Sequence, residues 1–213
     1  MSRPELLAES MAERRQLTVL FCDLAGSTAL SARLDPEDLR DVMARYYQVS
    51  SEALKQHGGY VARFLGDGLM VYFGWPEAHE HDAERAVRGG MATAEAVAQL
   101  ETSAGSLAVR VGIATGPVVV GDIVNSETRE RNVIGEAPNL AARLLSQAEP
   151  GTTVADDTTR RLTGAMFEWA DLGVSELKGL PRPVRVWRVL GQAGLQTQST
   201  SRSRRVVEVG RRR

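Results

Sequence analysis

Two aspartates stand at places in the sequence where a sheet edge is expected, and both could bind a cation. Asp23 lies at the end of the apolar run LTVLFCDL (residues 17–24), which is typical of a strand buried on both faces. Asp67 lies between two glycines in a predicted tight turn, residues 66–68. If the strands are neighbours, the carboxylates converge and could bind two Mg²⁺ or Mn²⁺ ions, which activate an attacking hydroxyl and stabilise a phosphorus transition state. The alternative is that Asp23 caps a strand end and Asp67 is an ordinary turn residue.

A short run of small residues, Gly26-Ser27-Thr28, follows Asp23 and opens a predicted helix. The backbone N–H groups at the start of that helix would face the proposed metal site, and a helix N-terminus of this kind binds phosphate. The alternative is an ordinary Ser or Thr helix cap. The sequence contains no P-loop motif, so a nucleotide site of that type is excluded.

Asn139 and Arg143 are four residues apart and share one face of a predicted helix at 136–148. An Asn and an Arg that project together can hold a ribose and a phosphate, and Arg is suited to negative charge that develops at phosphorus. The alternative is an exposed pair on an amphipathic helix, which is commonplace.

The elements that position these residues alternate between strands and helices. Their order, β-α-β-β-α-β followed by further elements, predicts a ferredoxin-like α+β sandwich with helices on one face of a mainly antiparallel sheet. Thr115-Gly116-Pro117 is expected to join two of the strands as a hairpin. The predicted strands are 17–24, 60–65, 69–73, 108–114 and 118–124 with a closing pair around 166–171 and 184–190, and the predicted long helices lie between Asp35 and His57, at 81–100 and at 136–148.

Composition excludes several classes of protein. An apolar share of 43% and a charged share of 25% are ordinary globular usage. The single cysteine, Cys22, allows neither an intrachain disulfide nor a zinc knuckle. No apolar run approaches the length of about 20 residues that spans a bilayer, and there is no signal peptide, so a cytoplasmic protein without a membrane segment is expected. A net charge of −1 argues against a nucleic-acid partner, although residues 191–213 carry six Arg and one Glu.

Three separated motifs, TVLFCDLAGST, FLGDGLMVYFG and VIGEAPNLAARLL, together resemble the catalytic domain of class III nucleotidyl cyclases, and bacterial adenylate cyclases in particular. The likeness divides the chain into an N-terminal segment at 1–15, a cyclase domain at 16–190 and a basic tail at 191–213 that is expected to be disordered. Such a tail is typical of a solvated linker to a further domain, and the regulatory domain or protein is expected to lie outside this chain.

The resemblance implies an adenylate cyclase that converts ATP to 3′,5′-cyclic AMP and pyrophosphate. It implies a head-to-tail homodimer with two sites, in which one protomer supplies Asp23 and Asp67 as ligands of two Mg²⁺ or Mn²⁺ ions. The other protomer would supply Asn139, which orients the ribose, and Arg143, which stabilises the transition state. The backbone of Gly26–Thr28 would hold the β- and γ-phosphates.

Two positions depart from the pattern of adenine-selective members of the family. Arg63 stands where they carry Lys, and Asn132 stands where they carry Asp, Thr or Ser. Both residues could bind adenine, because Arg63 can donate to N1 and the Asn132 carbonyl can accept from the 6-amino group, but both could also donate to guanine O6. The departures motivate a second hypothesis, a degenerate cyclase domain that binds nucleotide or dimerises as a regulatory module. A diguanylate cyclase is disfavoured, because no GGDEF-like run occurs.

Overall fold

A computed structural model describes the backbone of residues 13–124 and 129–194, and the side chains of 13–121 and 133–194. The strands are β1 Glu13–Leu24, β2 Tyr60–Leu65, β3 Gly68–Phe73, β4 Val109–Val124, β5 Arg129–Gly135, β6 Thr152–Asp156, β7 Phe167–Ser175 and β8 Val184–Gln192. The helices are α1 Ser27–Arg33, α2 Pro36–Gln56, α3 Asp82–Ala98, α4 Glu136–Leu144 and α5 Asp157–Leu162.

The strands form one sheet in the order β2-β3-β1-β4-β6-β8-β7, and β5 pairs with β4 outside this path. The β4–β6 pair is parallel, whereas the other pairs are antiparallel. In the first half of the chain, β1, β2, β3 and β4 with the intervening helices reproduce the β-α-β-β-α-β order. The predicted ferredoxin-like α+β fold is confirmed.

Helices cover both faces of the sheet, not one. Side chains alternate along β1, so that Leu20, Cys22 and Leu24 pack in one cluster with α2 and α3, while Leu17 and Val19 pack in a second cluster. The second cluster contains the buried residues of α4, Ala137, Leu140, Ala141 and Leu144. The prediction that the helices share one face is therefore wrong for α4, which lies on the opposite face and on the same side of β1 as Asp23.

The hairpin predicted at Thr115-Gly116-Pro117 is also wrong, because these residues lie inside the continuous strand β4. They pair with residues 16–18 of β1. The Thr115 hydroxyl is buried 2.8 Å from the hydroxyls of both Thr18 and Thr159. Proline has no N–H to donate to a neighbouring strand. Pro117 is tolerated because it lies between the part of β4 that pairs with β6 and the part that pairs with β5, so no strand is paired there on the edge of β4 away from β1.

Several other predicted boundaries agree with the structure. The hairpin strands 60–65 and 69–73 appear as β2 and β3, and the first long helix appears as α2. At the end of the domain, β8 continues to Gln192, two residues past the boundary expected for the tail, and residues 1–12 and 195–213 lie outside the described part. Within the described ranges, none of the helices combines the length and the apolar character that crossing a bilayer requires.

α4 lies so close to β4 that only a glycine fits beneath it. A Cβ atom at Gly112 would lie 2.5 Å from the carbonyl oxygen of Ala141 and 3.0 Å from the amide nitrogen of Leu145. We therefore expect Gly112→Ala to push α4 off the sheet and to lower the free energy of unfolding by about 2 kcal/mol, the usual cost of overpacking. Urea denaturation followed by circular dichroism measures this change.

Gly116→Ala is the matched control, because its Cβ would lie 3.5 Å from the Cβ of Ala137, an ordinary contact. Equal stability of the Gly112→Ala variant and the wild type would show that α4 is not seated against β4 as described.

Candidate active site

The backbone of the sheet brings Asp23 and Asp67 to the same edge. β1 and β3 are antiparallel neighbours, and Asp23 is paired with Gly68, the residue after Asp67. The N–H of Leu24 donates to the carbonyl oxygen of Asp67 at 3.3 Å. The two aspartates, which are far apart in the sequence, are thus adjacent because β3 returns beside β1.

The turn that carries Asp67 depends on its flanking glycines. Leu65 pairs with Gly68, so Gly66 and Asp67 form a two-residue hairpin turn. Gly66 has φ +64°, the left-handed conformation that such turns require at the first position and that glycine adopts without strain. At Gly68, a Cβ would lie 3.2 Å from the carbonyl oxygen of Cys22, so a larger residue would push the turn away from β1.

The Asp23 carboxyl is half-buried and incompletely satisfied. Its Oδ1 is a buried atom without a hydrogen-bond partner among the described residues. Burial raises the pKa of Asp23, the charge of Arg110 lowers it, and the charge of Asp67 raises it. Arg110 lies directly opposite Asp23 in the β1–β4 pairing. Sequence reasoning missed Arg110, since its proximity to Asp23 depends on the register between two strands, and the two residues are 87 positions apart in the chain.

The Asp67 side chain is held by α1. The hydroxyl of Ser27 donates to Asp67 Oδ2. Gly26 occupies the N-cap position of α1 with φ +74°, and no side chain caps this helix. The alternative that Ser27 or Thr28 is an ordinary helix cap is therefore wrong. Gly26 and Thr28 are exposed at the same sheet edge.

The donor set suits a hard divalent cation. Asp23 and Asp67 offer carboxylate oxygens, and the buried Oδ1 of Asp23 has no hydrogen-bond partner, so a cation could satisfy it. Among the described residues, no group of three or more His, Cys, Asp and Glu side chains could hold a metal by itself. Two carboxylates still fit Mg²⁺, which is commonly bound by one or two carboxylates while substrate phosphates and water complete its coordination.

Cys22, next to Asp23, does not contribute to this chemistry. It is fully buried on the opposite face of β1, and burial raises the pKa of its thiol to about 12. Its Sγ lies 3.7 Å from the hydroxyl of Tyr46. The thiol therefore stays protonated and acts as a small apolar side chain.

Asn139 and Arg143 lie on the exposed side of α4, as their spacing predicts. The other side of α4 is packed against the sheet. Within the described part of one chain, neither Asn139 nor Arg143 forms a hydrogen bond or ion pair with Asp23 or Asp67. A single protomer thus presents the pair of carboxylates and the Asn–Arg pair as two separate groups.

The two residues predicted to contact the base lie on different strands. Arg63 is half-buried on β2, opposite Met70, where its charge opposes the rise that burial causes in the pKa of Tyr72. Asn132 lies on β5 opposite Gly121 of β4, and its side chain is outside the described part.

Comparison with known proteins settles the family. The sequence profile described as "Adenylate and Guanylate cyclase catalytic domain" matches residues 9–191. The chain belongs to this family of cyclase catalytic domains. Its sheet edge with two aspartates is thus part of a cyclase domain, and the resemblance inferred from three sequence motifs is confirmed.

Solved structures similar to this cyclase domain include enzymes of both base specificities. The crystal structure of the guanylyl cyclase Cya2 superposes with a TM-score of 0.81 at 31% identity, covering 87% of this chain and 97% of that chain. The adenylyl cyclase CyaB from P. aeruginosa superposes with a TM-score of 0.78 at 33% identity, covering 84% of this chain and 95% of that chain.

Curated relatives of this cyclase domain are longer proteins. The uncharacterized protein R02095 of Rhizobium meliloti (strain 1021) is 35% identical over 181 residues, which are 84% of this chain but 18% of that protein. The chain spans about a third or less of the curated relatives it matches.

Proposed function

We propose that this cyclase domain is an adenylate cyclase that converts ATP to 3′,5′-cyclic AMP and pyrophosphate at the interface of a homodimer. The observation that carries the proposal is the pair of carboxylates at one sheet edge, in which Asp23 keeps a buried oxygen without a partner. A cation would satisfy that oxygen, and the family to which the chain belongs acts on nucleoside triphosphates.

Asp23 and Asp67 would hold two Mg²⁺ or Mn²⁺ ions. Ions bound there would lower the pKa of the ribose 3′-hydroxyl and would offset the negative charge of the triphosphate. Ser27 keeps the Asp67 carboxylate in place through its hydroxyl. Gly26 and Thr28 are exposed, and the backbone N–H groups of Gly26–Thr28 would bind the β- and γ-phosphates.

A second copy of the chain would complete the site. Asn139 and Arg143 are exposed on α4 and do not contact the carboxylates within one protomer, so a site that uses all four residues needs a partner. In the head-to-tail dimer, Asn139 would orient the ribose by hydrogen bonding, and Arg143 would donate to the phosphate oxygens as negative charge develops.

The base of the substrate has two candidates, adenine and guanine. Arg63 only donates, so it can bind adenine N1 or guanine O6 equally well. Similarity to CyaB at 33% identity supports ATP, while similarity to Cya2 at 31% supports GTP. We propose ATP as the substrate and GTP as the alternative, because guanylate cyclases usually carry a Glu at the position of Arg63.

An assay of the purified chain with Mn²⁺ and either ATP or GTP tests the function, with cyclic nucleotide detected by mass spectrometry. We expect cyclic AMP from ATP, and none from the Asp67→Ala variant. Cyclic GMP as the main product would replace the proposed substrate with the alternative. A folded, dimeric wild type that makes neither product would overturn the enzyme assignment and favour a nucleotide-binding or dimerising regulatory module.

Arg63→Lys tests the contact with the base. Lys is shorter and places a single ammonium group where Arg places a planar fork, so the two are not equivalent in a tight pocket. We expect kcat/KM for ATP to rise roughly fivefold, the value of about 1 kcal/mol for one improved hydrogen bond. Steady-state kinetics with ATP and GTP measure the change.

Arg88→Lys is the control for that substitution, because Arg88 pairs with Glu84 on α3. Unchanged ATP and GTP kinetics in Arg63→Lys would mean that residue 63 does not touch the base.

A further inference from the structure

The hairpin turn that carries Asp67 is fastened to α2 as well as to α1. The hydroxyl of Tyr47, on α2, donates to the carbonyl oxygen of Gly66, which belongs to the peptide group that joins Gly66 to Asp67. This contact fixes the backbone of the turn, whereas Ser27 holds the side chain of Asp67. The aspartate is thus fixed from two helices through two different groups.

Aromatic contacts hold the Tyr47 ring in the orientation that this hydrogen bond needs. Phe64, the second residue before Gly66, meets the ring edge-on with centroids 5.0 Å apart and an interplanar angle of 79°. The Tyr46 ring also contacts it, with the centroids 5.2 Å apart. Phe64 is 56% exposed, and this edge-on ring contact stabilises the pair beside the turn.

Charge and burial favour the donor form of Tyr47. Burial raises the pKa of Tyr47, and the charge of Asp67 raises it further. The phenol therefore keeps its proton at neutral pH and can donate to the Gly66 carbonyl.

We propose that Tyr47 is a positioning residue, which fixes the Gly66–Asp67 peptide so that the Asp67 carboxylate is already oriented beside Asp23 when a divalent cation arrives. The inference rests on the proposed function of the two aspartates. Groups that orient a metal ligand without touching the metal typically change metal affinity by about 10- to 100-fold when they are removed. Tyr47 would act in this way through one backbone hydrogen bond.

The adjacent tyrosine provides a matched control. Tyr46 is fully buried on the same helix, and its hydroxyl lies near Cys22 Sγ, on the face of β1 away from Asp23. Tyr47→Phe and Tyr46→Phe therefore remove the same atom from neighbouring residues, but only the first removes a contact with the turn.

The experiment titrates the wild type and both variants with Mn²⁺ alone and measures free Mn²⁺ by electron paramagnetic resonance. We expect the dissociation constant for Mn²⁺ to rise about tenfold in Tyr47→Phe and to stay within twofold of the wild type in Tyr46→Phe. Asp67→Ala sets the value for a broken site. Hydrogen exchange of a peptide covering residues 62–69 should be faster in Tyr47→Phe, while the melting temperature shows that the variant remains folded.

Three outcomes would overturn the proposal: an unchanged Mn²⁺ dissociation constant in Tyr47→Phe, an equal loss in Tyr46→Phe, or no Mn²⁺ binding that depends on Asp67. Failure of the proposed function is a separate result. In that case the wild type makes no cyclic nucleotide, but its Mn²⁺ binding still depends on Tyr47. In the active enzyme, Tyr47→Phe should raise the Mn²⁺ concentration that gives half-maximal rate more than it lowers kcat at saturating Mn²⁺.

Discussion

Asp23→Asn is expected to lower cyclic nucleotide production by about 1,000-fold or more, a loss typical of removing an essential catalytic group. The same change is expected to leave the melting temperature in EDTA equal to or higher than that of the wild type. The first effect follows because an amide is a poor ligand for a divalent cation compared with a carboxylate. Cyclase assays with Mn²⁺ and thermal denaturation in EDTA at pH 7.5 measure the two effects.

The stability effect follows from the sign of the pKa shift. The pKa of Asp23 is raised in the folded protein above its ordinary value of 3.8, chiefly by burial. The protonated Asp23 carboxyl therefore makes its full contribution to the free energy of unfolding below pH 3.8. This contribution is lost as the pH rises through the pKa that Asp23 has in the folded protein. Asn has nearly the same shape and never ionises, so the Asp23→Asn variant avoids this loss at neutral pH.

Asp171→Asn is the control for the loss of a carboxylate. Asp171 is exposed, and its ion pair with Arg185 lies on β7 and β8, away from the turn that carries Asp67. We expect Asp171→Asn to retain full activity. A large fall in the melting temperature of Asp23→Asn would contradict the description of Asp23 as a half-buried, unsatisfied carboxyl, and full activity of that variant would contradict its role in the site.

Mixing two inactive variants, Asp67→Ala and Arg143→Ala, is expected to restore cyclase activity. In a two-fold dimer with shared sites, each mixed dimer has one site in which both defects meet and one site in which all residues are intact. Random association of equal amounts should give about a quarter of wild-type activity, because half of the dimers are mixed and each has one working site of two. Product formation after co-incubation of the purified variants measures the recovery.

The control for this recovery is a mixture of Asp67→Ala with Asp23→Ala. Both defects then affect the carboxylate half of the site, so every site in a mixed dimer is damaged and no recovery is expected. Recovery in this control, or its absence in the first mixture while dimers still form, would show that the two halves of the site are not shared between protomers in the proposed way.

Local patterns determined the elements that carry the candidate site. The apolar run ending at Asp23 predicts β1, because continuous apolar character marks a strand buried on both faces. Gly66 and Gly68 predict the tight turn at Asp67, since a two-residue turn is determined by the backbone angles that a few neighbouring residues can adopt. The spacing of Asn139 and Arg143 likewise predicts that they share the exposed side of α4. Each prediction depends on a few consecutive residues.

Tertiary structure decided what lies beside these elements. Thr115-Gly116-Pro117 has the local character of a turn, but pairing with β1 and burial of the Thr115 hydroxyl keep it inside β4. α4 lies on the opposite face from α2 because Gly112 leaves room for it there.

Arg110 and Tyr47 became visible as neighbours of the two aspartates only in the folded chain. Arg110 meets Asp23 through the register of β1 with β4, and Tyr47 meets the turn at Gly66 through the packing of α2. Strand register and helix packing are set by contacts between residues distant in sequence, and the free energy of those contacts has no counterpart in a local pattern. The sequence by itself therefore determined the two carboxylates and the elements that carry them, whereas the tertiary structure decided which groups lie beside them.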